Sequence, residues 1–198
     1  MLQEKKFNTG EVVLNYAHGP QTGPPLVLMH GLPGRWQEFL PIIDVLAESW
    51  QVFALDMRGQ GLSGHLPGSY LPKDYTRDLI AFLQKGIGKP AVIFGMSAGG
   101  GIAIDFTLKF PEKVKALVLI GAVVSGHGYS THFLTRGGHI TSLNDYLEPS
   151  KFIQYFGWDD PYEIYPKNFK AKKLFLKRLK ENPQNITGAL TPLGKPPE

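Results

Sequence analysis

The stretch that decides the fold is Ala91-Val92-Ile93-Phe94-Gly95-Met96-Ser97-Ala98-Gly99-Gly100. Its first four residues form a short apolar run typical of a buried β-strand, and the residues from Ala98 onward predict a helix that ends before Pro111. Between strand and helix, Gly95 to Gly99 matches G-x-S-x-G, in which a serine stands on a tight strand-to-helix turn. Glycines two residues before and after Ser97 avoid a clash between Cβ atoms that this turn would bring together. The stretch predicts a nucleophilic serine, with a helix-capping serine as the alternative.

Further apolar runs on both sides of this stretch predict the rest of a sheet. Segments with helical spacing of apolar residues separate these runs, and no glycine or proline interrupts them. A hairpin-like start near Asn8-Thr9-Gly10 precedes the first run. Alternating strands and helices of this kind predict an α/β fold with a largely parallel sheet. The other predicted strands are residues 12–16, 26–29, 52–55 and 115–121.

The character of the chain changes at about Ser125, where aromatic and polar residues replace the strand-like runs. We interpret this segment as a helical insertion, followed by a proline-rich end from Thr191 to Glu198. The sequence therefore predicts two parts, an α/β core over 1–124 and a helical cap with a proline-rich end over 125–198.

Composition limits the possible functions. The chain has 198 residues, 42% hydrophobic and 19% charged, as in soluble globular proteins. Its net charge of +4 gives no reason to expect nucleic acid, and the absence of cysteine excludes a thiolate nucleophile. The first ten residues lack a signal-peptide core, and the longest apolar stretch, 116–124, is shorter than the ~20 residues of a membrane span. We expect a cytoplasmic protein with a small-molecule substrate and no metal, cofactor or membrane partner; the oligomeric state stays open.

Nucleophilic attack on a carbonyl creates an oxyanion, which backbone N–H groups must stabilise. The N–H of Ala98 at the helix N-terminus is one candidate donor. A second is the N–H of Leu32, because the glycine-rich loop His30-Gly31-Leu32-Pro33-Gly34 follows a predicted strand and can turn toward the serine. His30 could act as a base, but a structural histidine that hydrogen-bonds this loop is the interpretation we favour.

Three motifs in this order make the chain resemble the α/β-hydrolase superfamily, in particular its esterase, C–C hydrolase and epoxide hydrolase-like branch. They are the His30 to Gly34 loop, Asp56-Met57-Arg58-Gly59-Gln60-Gly61-Leu62-Ser63-Gly64, and the Ser97 turn, with Phe110-Pro111-Glu112-Lys113-Val114 after them. The resemblance covers about 10–124. It implies a serine hydrolase acting on an ester or related acyl bond of a small apolar substrate, with Ser97 as nucleophile and His30, Gly31, Gly95 and Gly99 supporting the two loops.

The same resemblance gives expectations for Ser97 and for two residues of the second motif, Gln60 and Asp56. Serine at 97, where epoxide hydrolases and haloalkane dehalogenases have a carboxylate, points away from those enzymes. Gln60 stands where relatives commonly have histidine or an aromatic residue, and we expect it to alter a pocket wall but not the chemistry. We interpret Asp56 as part of a turn at the sheet edge and not as the catalytic acid.

The family order places the catalytic acid and then the histidine after the nucleophile, on loops that follow two further strands. Neither strand is predicted in this chain, and the histidines after Ser97 precede most of the later acids. The run 116–120 is apolar on both faces, as expected of a strand paired on both sides. We expect a fragment whose last strands, acid and histidine are missing. The remaining alternatives are a substitute base among His127, His132 and His139, or a ligand-binding pseudo-hydrolase or receptor.

A basic stretch, Lys167 to Lys180, contains seven Lys or Arg residues and no acid, interleaved with apolar residues. Its pattern predicts a cap helix with lysines in solvent. A helix that lies on an anionic membrane or an acidic partner is the alternative.

Overall fold

The computed structural model describes residues 2–31, 34–66 and 69–122, all within one compact unit, Met1–Ser125. The predicted cap over 125–198, the three candidate bases His127, His132 and His139, and the basic stretch lie outside the described residues. Among the described residues, no helix is long and apolar enough to cross a membrane. The strands are β1 (Gln3–Asn8), β2 (Val13–Gly19), β3 (Pro25–Met29), β4 (Gln51–Leu55), β5 (Ala91–Met96) and β6 (Val114–Ile120), and the helices are α1 (Leu40–Ala47), α2 (Pro72–Ala81) and α3 (Ala98–Lys109).

The six strands form one sheet in the order β1-β2-β4-β3-β5-β6. The four strands β4, β3, β5 and β6 run parallel, whereas β1 and β2 are antiparallel to their neighbours. This arrangement confirms the predicted α/β class with a mostly parallel sheet. Because α3 follows β5 directly, the residue between them lies at the carboxyl edge of the parallel strands, where ligands bind in open α/β sheets.

Strand β1 was not predicted. Its sequence, QEKKFN, is dominated by charged and polar side chains and has no apolar run. It forms by pairing with β2 at the outer edge of the sheet, where charged residues are tolerated because one side meets solvent.

Both faces of the sheet are covered by helices, so strand β3 is buried throughout. Leu26 and Leu28 pack with the core of the α1 side, while Val27 and Met29 join the core formed with α2 and α3. This alternation explains why β3 reads as a continuous apolar run. Packing on both faces therefore fixes the end of β3, from which the His30 to Gly34 loop begins.

Strand β6 pairs with β5 and with no other strand of the described part of the chain. Three of its apolar side chains are well exposed, Val118 and Leu119 at 41% and Ile120 at 51%. A second neighbour for β6, which its apolar faces predict, is not found among the described residues.

Stability should fall as His18 becomes protonated. Burial lowers the pKa of this histidine, and nearby Lys5 acts in the same direction, although a contact of Nδ1 with the Val52 carbonyl at 3.3 Å opposes them. The folded state therefore binds this proton less strongly than the unfolded state. The free energy of unfolding should drop as the pH falls below about 6.5, the ordinary pKa of histidine, and level off below the folded pKa.

Urea unfolding of the wild-type chain and a His18→Phe variant between neutral pH and pH 5 measures this effect. Phenylalanine keeps the stacking on Phe53, whose ring centroid lies 4.6 Å from that of His18. The variant should lose less stability than the wild type over this range; equal losses would contradict the assignment to His18.

Candidate active site

Ser97 occupies the junction between β5 and α3, with φ 52° and ψ −120°. Among the described residues it is the only non-glycine residue with positive φ. Such a conformation costs about 1–3 kcal/mol and persists only where the surroundings enforce it. Here the Ser97 N–H donates to the Ile120 carbonyl at 2.9 Å, and the Ser97 carbonyl accepts from Gly100 and Gly101 N–H groups at 3.0 and 3.2 Å. The serine is thus held rigidly, with its side chain partly accessible.

Glycines on both sides of Ser97 are required by close packing. A Cβ on Gly95 would lie 2.6 Å from the Cα of Gly100, and one on Gly100 would lie 2.5 Å from the Cβ of Ala122. On Gly99 it would approach the carbonyl oxygens of Met29 and His30 to under 3.0 Å. The turn therefore brings α3 against the end of β3, which only glycine permits. Gly100 was not among the predicted supporting residues, although the run of glycines after Ala98 was a visible signal for it.

The loop after β3 reaches the serine through Gly31. A Cβ on Gly31 would lie 3.1 Å from the Cβ and 3.6 Å from the Oγ of Ser97, so the two residues are in direct contact. Ala98 is the first residue of α3, and its N–H has no acceptor within the helix. Leu32, the second predicted oxyanion donor, lies outside the described residues.

His30 is completely buried and is held by backbone groups on both sides of its ring. Its Nε2 accepts the N–H of Met57 at 3.2 Å, which requires Nε2 to be unprotonated. Its Nδ1 then carries the hydrogen and donates to the Gly31 carbonyl at 2.6 Å. With both nitrogens engaged, His30 has no free lone pair for taking a proton from Ser97.

Asp56 follows β4 directly and is also completely buried. Its carboxylate accepts hydrogen bonds from the Trp36 N–H at 2.7 Å, the Asn15 side-chain amide at 2.8 Å and the Leu62 N–H at 2.9 Å. Strand β4 is an inner strand, so this turn lies at the carboxyl end of the sheet and not at a lateral edge. The carboxylate organises three backbone segments, a structural use that leaves it inaccessible to substrate.

Gln60, which the resemblance led us to expect at a pocket wall, has a fully buried side chain. Its Oε1 accepts the N–H of Gly34 at 3.1 Å, a contact that joins residues 26 positions apart and that the resemblance did not predict.

Arg58 forms a buried ion pair beside these loops. Its guanidinium donates to both carboxylate oxygens of Asp78 at 2.6 and 2.7 Å, to Glu11 at 3.0 Å and to the Ser69 carbonyl at 3.0 Å. Burial raises the pKa of Asp78, although the hydrogen bonds from Arg58 oppose this rise. Burial also acts to lower the pKa of Arg58. The hydrogen bonds and charges of Asp78 and Glu11 have the larger effect, and they keep the Arg58 pKa above its ordinary value. The pair ties the turn after β4 to α2.

The described residues contain no group of three His, Asp or Glu side chains placed to hold a metal ion.

Comparison with known proteins shows the family. A model of the alpha/beta hydrolase fold family matches residues 24–134, more than half of the chain, and the chain belongs to that family. A serine hydrolase-like protein of Danio rerio is 32% identical over 104 residues, which are 52% of this chain and 32% of the relative. A 2-hydroxymuconate semialdehyde hydrolase of Pseudomonas sp. is 34% identical over 109 residues, 53% of this chain and 38% of the relative. The chain thus spans less than half the length of these relatives.

Solved structures agree on the fold. A hydrolase from Pseudomonas aeruginosa superimposes with a TM-score of 0.77 at 19% identity, covering 96% of this chain and 72% of that one. An esterase from Rhodococcus sp. gives a TM-score of 0.70 at 21% identity, with the same coverage of 96% and 72%. Ser97 therefore lies within an α/β hydrolase fold.

A Gly99→Ala substitution should destabilise the protein by about 1–3 kcal/mol, the usual cost of forcing extra atoms into a packed site. The added methyl group would press on backbone oxygens at the end of β3, which cannot move aside as a flexible side chain can. Urea unfolding measures the difference in free energy.

The matched control is Gly86→Ala, whose methyl group would meet only the rings of Phe82 and Phe7, at 3.2 and 3.4 Å. Gly86 lies in the π-helical segment Phe82–Ile87 that follows α2. We expect this variant to stay within about 1 kcal/mol of the wild type, since alanine favours helix over glycine. Equal stability of Gly99→Ala and wild type would contradict the close approach of α3 to β3.

Proposed function

We propose that this chain provides the nucleophile and oxyanion-binding part of a serine hydrolase that cleaves an ester or related acyl bond in a small apolar substrate. The observation that carries the proposal is the strained, partly accessible Ser97 at the carboxyl end of β5, held by backbone hydrogen bonds on both sides. Strain maintained at such cost on a surface-accessible nucleophile is typical of functional sites. A serine that only capped α3 would not need a strained backbone. In addition, Ser97 makes no side-chain capping hydrogen bond to α3.

In the proposed reaction the Ser97 Oγ attacks the substrate carbonyl carbon while its proton passes to a base. The tetrahedral intermediate carries its negative charge on the former carbonyl oxygen, which the N–H groups of Ala98 and Leu32 are proposed to bind. Collapse of the intermediate expels the alcohol, which takes up the proton, and leaves an acyl-serine. Water then attacks the acyl carbon, and the acid is released with Ser97 restored.

The base in this scheme is a histidine that follows the nucleophile in the chain, as in the family order. The described residues after Ser97, 98–122, contain no histidine. His30 cannot take this role because its two ring nitrogens are bonded to backbone groups. The base and its acid partner therefore belong to the part of the protein outside the described residues.

Covalent labelling tests the proposal. The chain is incubated with an alkyl fluorophosphonate and with imidazole, which acts as a diffusible base for the Ser97 hydroxyl in all labelling experiments. The reagent reacts with serine nucleophiles and places its phosphoryl oxygen where the oxyanion would be. Peptide mass spectrometry then locates the adduct. We expect the adduct on Ser97 and none in a Ser97→Ala variant, while Ser49→Ala, which changes an exposed serine at the opposite end of the parallel strands, labels as the wild type does. Binding of apolar esters without any adduct on Ser97 would favour the ligand-binding pseudo-hydrolase instead.

A further inference from the structure

Two loops behind Ser97 are fastened together by buried hydrogen bonds. One is the segment after β3, of which the structure describes His30, Gly31 and Gly34, here called the β3 loop. The other is the turn over 56–64 after β4, here called the β4 turn. Met57 of the β4 turn donates its N–H to His30 at 3.2 Å. In the opposite direction, Gly34 of the β3 loop donates its N–H to the Oε1 of Gln60 at 3.1 Å.

Gln60 has a fixed backbone. Its N–H donates to the Met57 carbonyl at 2.9 Å, and its own carbonyl accepts the Ser63 N–H at 2.9 Å. The residues on either side, Gly59 and Gly61, have positive φ values of 72° and 52°, so the turn depends on glycine at both positions. Because the backbone cannot shift and the side chain is fully buried, the Oε1 of Gln60 stands at a fixed place.

Gly34 packs closely against His30 and Gly31. A Cβ on Gly34 would lie 2.6 Å from the Nδ1 of His30 and 2.5 Å from the Gly31 carbonyl oxygen, so these residues are already in tight contact. A Cβ on Gly31 would in turn lie 3.1 Å from the Cβ of Ser97, so Gly31 lies close beside the nucleophile. A displacement of Gly34 would therefore change the space available to Gly31 and Ser97.

We infer that Gln60 is a positioning residue, which holds the β3 loop at the distance from Ser97 that the reaction requires. The inference rests on the proposed function. The buried N–H of Gly34 needs an acceptor, since leaving it without one would favour movement of the loop toward water. A displacement of about 1 Å at a reacting centre can lower the rate by about 10²-fold, so loss of this hydrogen bond should affect the reaction more than binding.

The test compares three variants of the 198-residue chain by two measurements. Gln60→Met keeps the shape of the side chain and removes the acceptor. Gln60→Glu keeps an acceptor oxygen at the same length. Gln37→Met makes the same chemical change at a glutamine that bonds Glu4 and not the β3 loop. The first measurement is the rate of Ser97 labelling by the fluorophosphonate against reagent concentration, and the second is hydrogen exchange of the Gly34 amide.

For Gln60→Met we expect the maximal labelling rate to fall by about ten-fold or more, with little change in the reagent concentration for half-maximal rate, and faster exchange at Gly34. Gln60→Glu should recover most of the labelling rate, because its carboxyl group keeps an acceptor oxygen whether it is protonated or ionised. Gln37→Met should label as the wild type does. If Gln60→Met fails to fold, Gln60→Asn, which withdraws the oxygen by one methylene, replaces it.

Two results would overturn the inference alone, namely unchanged labelling of Ser97 in Gln60→Met or unchanged exchange at Gly34. A wild-type chain that is labelled elsewhere than Ser97, or not at all, would instead overturn the proposed function and with it the role of Gln60.

Discussion

An Arg58→Met variant is expected to lose about 3–5 kcal/mol of unfolding free energy, the usual cost of removing one partner of a buried ion pair. The loss arises because Asp78, with a side chain only 6% exposed, would keep its charge without the two hydrogen bonds that now compensate it. Urea or thermal unfolding at neutral pH measures the effect.

Arg77→Met is the matched control. Arg77 has a side chain that is 49% exposed, and it pairs with Glu11 and with the buried Asp74. Because Asp74 keeps the hydrogen bond from the Leu71 N–H at 2.8 Å, this variant should lose less stability than Arg58→Met. A double variant, Arg58→Met with Asp78→Leu, should regain much of the stability, because it removes the unpaired charge. Similar losses in Arg58→Met and Arg77→Met would contradict the structural importance of the buried pair.

The loss in Arg58→Met should also depend on pH. Burial already raises the pKa of Asp78, and removal of Arg58 should raise it further, so the folded variant holds this proton more strongly than the unfolded chain. Stability then increases as the pH falls through the range between the unfolded and folded pKa values. The variant should therefore differ less from the wild type in mild acid than at neutral pH.

The 198-residue chain is expected to hydrolyse p-nitrophenyl acetate on the order of 10⁶-fold more slowly than a hydrolase with a complete triad. Loss of the catalytic histidine has about this effect in a serine protease. A serine hydroxyl is a weak nucleophile near neutral pH, and the donors at the oxyanion site supply only the smaller part of the rate enhancement. The release of p-nitrophenol measures the rate.

Added imidazole should raise the rate as a diffusible base, after correction for its own reaction with the ester. This increase should disappear in Ser97→Ala and persist in Ser49→Ala. Rapid hydrolysis without imidazole that is lost in Ser97→Ala would contradict the prediction. It would show that a base within residues 1–198, such as His127, His132 or His139, serves Ser97.

The sheet could be predicted largely because burial on both faces makes parallel strands continuous apolar runs. Strands β3, β4 and β5 carry this signal and were found within one or two residues of their ends. Strand β1 carries none, since its residues join the sheet through backbone pairing with β2 at an edge. Local pattern alone cannot reveal a strand whose stability comes from its partner.

The candidate site was likewise predictable only in part. The turn at Ser97 could be predicted because its motif, Gly95 to Gly99, is local in the sequence, although the packing of Gly99 on Met29 and His30 is not. The support behind it was not predictable, because the hydrogen bonds of Asp56 with Asn15 and of Gln60 with Gly34 join residues 41 and 26 positions apart. Only the packed fold brings such groups together.

A crystal structure of the chain after reaction with the fluorophosphonate tests the central claim most directly, since it reveals both the nucleophile and the oxyanion site. We predict phosphorus bonded to the Oγ of Ser97, with a phosphoryl oxygen about 2.7–3.1 Å from the N–H of Ala98 at the start of α3. An adduct on another side chain, or a phosphoryl oxygen directed away from Ala98 into solvent, would contradict the account.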